Sequence, residues 1–526
     1  MRVRSIFWAL GLAAAAASLQ AVAATWHVDA KAAGAGDGSE AQPWPALTAA
    51  VLEKLQPGDT VLLAHGAYTV SDLAVKRGGA PGAPIVIRGA PGEYPVLSGE
   101  RNGFILGEAA HVVFEHLEFA DYKGQPLNLA ARVKDGGSWI VVRDCIAHGG
   151  AIFVKANGKD ARAHHLLIEN CVAYAMADIP IFLDNLDGAI VRNCVFFDSK
   201  SVAMDPGGVS NLVVERNYVV NPYRLGALKI RWGDVERIQQ PNCDGAVVRH
   251  NIFLEGGRYQ LLLASANGAC VYQNAFANFE NLPSESGLVF MQRDAVDLDG
   301  KKPGPNRRNV LLNNIFFHAG DDARPQNYVH NALLCLDATM GAELDSQRID
   351  HNLYFKKRGT LLIRAVDRDV EAENLKGWGP GFDTHSLIAD PLWRVPLLDA
   401  GPDGYRLPEG SPAVDAGTTL TAAAGSGRGT ELKVADARGF CPGLGLLDGD
   451  LVRVGAHPPV RIVARDLQAQ VLTLEKELDW QDGDPVSLPY SGKAPDIGPQ
   501  ERDAEVPIGN EEGIRRLRLW LAKRKR

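Results

Sequence analysis

Between residues 139 and 354 the chain repeats one phrase: alternating apolar residues, a polar pair, then usually Asn and another apolar residue. It reads WIVVRDC, HLLIENC, AIVRNC, LVVERNY, AVVRHNI, CVYQNA, VLLNNIF and RIDHNLY in turn. Taking Asp144, Asn170, Asn193, Asn217, Asn251, Asn274, Asn314 and Asn352 as markers, the spacings are 26, 23, 24, 34, 23, 40 and 38 residues. A unit of about 23 residues is too short for a helix hairpin but holds three short strands and three turns. Stacked units predict a β-solenoid with one continuous core, and Asn at each repeat predicts a turn whose amides bond from rung to rung. Cys145, Cys171 and Cys194 each follow a marker and predict a buried stack of small apolar side chains rather than metal ligands, since no CxxC spacing accompanies them.

A second strand follows each marker: AIFVKAN, PIFLDN, SVAMDP, ALKIRWG, QLLLAS, LVFMQRD and LLCLDAT. Aligning the apolar pairs Ile152/Val154, Ile181/Leu183, Val202/Met204 and Leu228/Ile230 leaves an outward row of Lys155, Asp184, Asp205, Arg231, Ala264, Gln292 and Asp337. The neighbouring row reads Phe153, Phe182, Ala203, Lys229, Leu262, Phe290 and Cys335. Rungs of a parallel sheet lie about 4.8 Å apart, so this register predicts a compact patch with Asp184 beside Asp205 and Arg231 beside Asp205. Lys229 and Arg231 share one strand face, where two cations repel unless carboxylates or an anionic ligand offset them. Long inserts, RWGDVERIQQPNCDG, MQRDAVDLDGKKPGPNRR and DDARPQNYVH, are expected to wall a groove along this face. An array of surface ion pairs is the plainer reading of the same charges.

These coils, with PGDTVLLAHGAYTV and GAPIVIRGAPGEYPVLSG ahead of them, resemble the right-handed parallel β-helix, or pectin-lyase-like, superfamily. The resemblance covers roughly residues 25–420 and 493–501, where SPAVDAG and APDIGPQE are similar to the family's closing coils. It implies an all-β solenoid, with a capping helix in PALTAAVLEKL and first coils within 24–110, then the main helix over 111–420. Residues 421–492, with short apolar strands and Gly-Asp turns, predict a small inserted β-module. A closing segment over 493–510 and a basic amphipathic tail over 511–526 complete the division; the tail either meets an anionic surface or is solvated.

The first residues pair Arg2 and Arg4 with the apolar run IFWALGLAAAAASL and the small-residue pattern Ala21-Val22-Ala23, a cleavable export signal over 1–23. The product is expected to be secreted or periplasmic. Loss of the two arginines takes the formal charge from −8 to −10, which argues against nucleic-acid binding. No later run is long enough to span a membrane. Seven cysteines are few for an exported chain of 526 residues, and an odd number cannot all pair. The chain is expected to act as a monomer on an anionic polysaccharide.

Three functions suit the patch. A polysaccharide lyase acting on a uronic-acid-containing glycan needs a base, neutralisation of the carboxylate and help for the leaving oxygen. Lys229 and Arg231 are the candidates for the catalytic centre. The arrangement looks like the calcium-and-lysine lyases among β-helix enzymes, which implies Asp184 and Asp205 as Ca²⁺ ligands. Lys155, Phe153, Phe182, Trp232, Gln292 and Arg293 are the candidate substrate contacts. A glycoside hydrolase would use Asp184 with Asp205 as paired carboxylates. A glycan-binding envelope protein would need only the aromatic-lined groove.

Overall fold

The computed structural model describes residues 23–524 except 91, 93, 159–160, 221–224, 234–242, 280–286, 294–303, 320–331, 394–397, 399 and 505. The export signal and most of the three long inserts, Asp234 among them, lie outside the described residues. The chain winds through three 12-stranded sheets, each strand pairing in parallel with its counterpart one coil away, apart from one antiparallel pair ending the third sheet. This is a parallel β-helix. One coil shows the path: Leu186–Arg192 in the first sheet, Val195–Phe197 in the second, Val202–Gly207 in the third, then Ser210–Glu215 back in the first. Alternate side chains point inward, so one core cluster runs from Val28 to Phe382.

The corner between the first and second sheets sets the repeat. It uses two residues: one with positive φ, then one whose side chain is buried. Positive φ occurs at Asp144 (51°), Asn170 (54°), Asn193 (52°), Arg216 (54°), His250 (56°), Gln273 (50°), Asn313 (55°) and His351 (51°). Asn, Asp and His tolerate this backbone better than most residues. The buried position holds Cys145, Cys171 and Cys194, then Asn217, Asn251, Asn274, Asn314 and Asn352. The thiols and the amides thus form one column. Asn170 and Asn193 stand one residue earlier, level with Arg216 rather than with Asn217, so the 24-residue step is a 23-residue coil.

The column is held by side chains that answer backbone groups no sheet can reach. Asn274 Nδ2 donates to Val248 O (2.9 Å), Tyr272 O (3.0 Å) and Asn314 Oδ1 (3.0 Å). Its Oδ1 accepts from Asn251 N and Nδ2, both at 3.0 Å. Cys194 Sγ donates to the corresponding carbonyls, Ile168 O (3.8 Å) and Arg192 O (3.2 Å). All seven cysteines are free and buried.

At the N-terminal end, the expected cap shortens to a single helical turn, Ala49–Leu52, with the Thr48 side chain accepting from Val51 N. Trp44, Leu47, Val51, Leu52 and Leu55 close the core there. Strands between Thr421 and Ser487 form a separate six-stranded antiparallel sheet. Its Leu432, Phe440, Val452 and Ile462 pack on Leu167, Ile190, Val213 and Val247 of the first sheet's outer side. Arg249 clamps the joint with a bidentate pair to Asp450, both bonds at 2.6 Å.

The basic tail does not face solvent all round. Helix Glu511–Arg524 lays Ile514, Leu517 and Leu521 on the second sheet's outer side, beside Val172, Val195 and Phe197. Arg516 pairs with Glu118 at 3.1 Å and Trp520 Nε1 donates to Asp198 at 2.8 Å. Burying such an aliphatic side chain is worth about 1.5–3 kcal/mol, so the apolar stripe is spent on the chain's own body.

The corner column yields a stability prediction. Asn274→Ala leaves the Asn251 amide and two carbonyls without partners, and should cost at least about 2–3 kcal/mol. Asn274→Cys, which restores the donor used in the upper coils, should lose clearly less. Urea denaturation of the three proteins checks this ordering.

Candidate active site

Two of the three outer faces are covered, the first by the inserted module and the second by the closing segment and its helix. The third sheet keeps polar side chains outside, and the predicted patch lies there. Its strands Val154–Asn157, Ile181–Asp184, Val202–Gly207 and Gly226–Ile230 send Val154, Ile181, Met204, Leu228 and Ile230 into the core. The residues between them face out.

The register differs from the sequence alignment by two residues at each of three steps. Val154 pairs with Ile181, Ile181 with Met204, and Met204 with Leu228 rather than Ile230. One outward row is therefore Lys155, Phe182, Asp205 and Lys229. The other is Asn157, Asp184, Gly207 and Arg231. Alternation of period two fixes which face a residue takes but leaves a shift of two undetected. Asp184 and Asp205 thus stand on a diagonal, not side by side. Phe153 is a correction of another kind. It precedes the strand, is fully buried against Phe119 at 5.8 Å, and contacts no outer ligand.

Arg231 organises the patch. Its Nε donates to Asp205 Oδ1 at 2.8 Å, its Nη1 donates to Trp232 O at 2.8 Å, and its Nη2 lies 4.0 Å from Asp184 Oδ2. Burial opposes its charge, but the Asp205 and Asp184 carboxylates outweigh burial and raise its pKa, so the guanidinium stays charged. It also sits over the Phe182 ring at 5.4 Å, and Lys155 Nζ reaches the same ring at 5.8 Å. Gly207 makes this possible: a Cβ there would lie 2.6 Å from Arg231 Nη1 and 3.1 Å from Asp184 Oδ1.

Lys229 is different. Pairing of Met204 with Leu228 sets it beside Asp205, yet no ion pair or hydrogen bond holds its ammonium among the described residues. On its other side the row turns apolar, through Leu262, Phe290 and Cys335, all buried. Gln292 and Arg293 lie four coils from Asp184, half-buried at the end of strand Val289–Gln292. Arg293 is engaged there through its N–H to Thr339. They extend the face without joining the Arg231 cluster.

A metal does not fit between Asp184 and Asp205 as they stand, because the guanidinium of Arg231 already occupies the space facing both. Among the described residues Asp350, His351 and His385 converge more tightly: His385 Nδ1 lies 2.7 Å and His351 Nδ1 3.2 Å from Asp350 Oδ2. That group stands at the corner of the first and second sheets, away from the patch. The sequence alignment also passed over Asp178, in the turn before Ile181. Burial pushes its carboxyl up, and the Asp205 charge adds to this. No periodicity marks a turn residue; only the fold brings it to Asp205.

Gly207→Ala should push the guanidinium off both carboxylates and destabilise the chain by about 1–3 kcal/mol. Lys229→Ala should change stability by less than about 0.5 kcal/mol. Parallel urea titrations separate Arg231, whose guanidinium holds the patch together, from Lys229, which has no ion pair among the described residues.

No protein-family model matches the chain, and no curated protein matches it. Among solved structures it is similar to the pectate lyase Pel9A, with a TM-score of 0.44 and 13% identity over 92% of this chain and 97% of that one. A rhamnogalacturonan lyase gives 0.42 and 13% over 62% and 87%. The lacto-N-biosidase of Eubacterium ramulus gives 0.36 and 14% over 70% and 67%. At such identities and TM-scores these likenesses say nothing of reaction. The chain's own three stacked sheets make it a parallel β-helix protein.

Proposed function

We propose that this chain is an exported polysaccharide lyase that binds a uronic-acid-containing glycan along the outer face of the third sheet. The observation that carries the reading is Lys229, a cation with no ion pair among the described residues, on the face that neither module nor helix covers. A lone amine beside a charged guanidinium suits a base better than a structural role.

In this reading Lys229, as the free amine, takes the proton from C5 of the uronate. The electron pair left on C5 delocalises into the C6 carboxylate, whose added charge Lys155 and Arg231 offset. The pair then forms the C4–C5 double bond as the C4–O bond breaks. The leaving oxygen takes a proton, for which Asp178, held protonated to higher pH than an ordinary carboxyl, is suited. Phe182 and Trp232 offer apolar surface to the sugar rings. Asp205 and Asp184 position Arg231. The step needs no metal, so calcium is not part of it.

A hydrolase would use Asp178 as acid with Asp205 as the second carboxylate, and one assay separates the two. The mature protein is incubated with polygalacturonate, alginate and glucuronate-containing glycans, with calcium and with EDTA, recording ultraviolet absorbance of unsaturated ends and reducing sugar. Absorbance that survives EDTA and falls at least a hundredfold in Lys229→Ala is the expected result. Reducing ends without absorbance mean hydrolysis. Full turnover in Lys229→Ala removes that residue from the mechanism.

A further inference from the structure

A second cavity lies on the opposite side of the β-helix, where three parts of the chain meet. Its floor is the outer side of the first sheet, its walls the inserted module and the closing segment around Tyr490 and Gln500. It is half-enclosed and has a volume of about 710 Å³, within the range of small-ligand sites. The patch on the third sheet contributes nothing to it.

Its polar groups are unevenly satisfied. Arg249 is spent: it binds Glu215 at 2.7 Å, the Tyr272 hydroxyl at 3.1 Å and Asp450 through two bonds. Arg216 is not. Its nearest carboxylate oxygen, on Glu215, lies 3.8 Å away, and its Nε is buried without a partner. Burial and the neighbouring Arg249 and Arg192 lower its pKa, against the pull of Glu215, so a further anion would relieve it. Gln500 is 5% exposed, and its Nε2 also lacks a hydrogen bond. A buried donor without an acceptor costs about 1–3 kcal/mol, which a ligand oxygen would recover. Tyr490 lines the same cavity, its ring steadied by the Arg453 guanidinium at 4.7 Å.

We propose that this cavity binds a carboxylated sugar, one or two rings in size, with its carboxylate on Arg216, a hydroxyl oxygen accepting from Gln500 Nε2 and a ring face against Tyr490. The choice of a sugar acid rests on the function proposed above; the anionic, single-ended character of the site rests on the cavity alone. Such a site retains the end of an acidic chain, or a released fragment, away from the cleavage face. It also gives the inserted module a part in binding, since Arg461 and Asp450 of the module line it.

Isothermal titration calorimetry of the full mature chain tests this, using galacturonate and glucuronate, with galactose and sodium sulfate as controls. At least one uronate should bind wild type and Lys229→Ala equally, and Arg216→Gln and Gln500→Leu at least tenfold more weakly. Galactose should bind at least tenfold more weakly than the uronate. Melting curves identify a variant that fails to fold, and the other then decides. Uronate affinity that neither cavity substitution weakens, or that is lost in Lys229→Ala, overturns the proposal. So does equal affinity for galactose, for sulfate, or no uronate binding at all. A protein that binds uronate here but cleaves no glycan refutes the lyase and leaves this site standing.

Discussion

The whole molecule hangs on one corner. Each coil must turn from the first sheet into the second within two residues, and it must do so in register with the coils above and below. A positive-φ residue makes the turn, and the next side chain enters the core to bond the backbone groups the turn leaves unpaired. An unmet buried amide or carbonyl costs about 1–3 kcal/mol, and the cost would recur at every rung. The column of three thiols and five amides removes it. Asn offers an amide donor together with an oxygen that accepts from the preceding coil's N–H, and it takes over from Asn217 onward.

With the corner fixed, the outer faces have different fates. A solenoid exposes three sheets, and an apolar outer face invites association. The inserted module seals much of the first, and the terminal helix seals part of the second, through side chains brought back from more than a hundred residues away. The third face keeps its charges. The third face is the one left open by what packs on the other two, and the joint that seals the first face creates the cavity around Arg216.

Within the third face, Arg231 and Lys229 share a strand but not a role. The guanidinium is planar and carries several donors, so it satisfies Asp205, a carbonyl and the Phe182 ring together. Truncating one member of such a buried pair leaves the other uncompensated. The ammonium next along has no such partners among the described residues.

The sequence by itself determined the coil length, the parallel stacking, the burial of the cysteines and the side of the strand on which Lys229, Arg231, Asp184 and Asp205 lie. All of these follow from periodicity, which is a local property repeated many times. Register was beyond it, because a shift of two preserves every inward and outward assignment; hence Asp205 moved beside Lys229 and Gly207 came between Asp184 and Arg231. Phe153 was misplaced because a strand's first inward side chain cannot be told from the turn before it. The docking of the helix on the second sheet, the Arg249–Asp450 clamp and the approach of Asp178 to Asp205 were decided only by tertiary structure. They join segments with no shared pattern, and packing free energy, not spacing, brings them together.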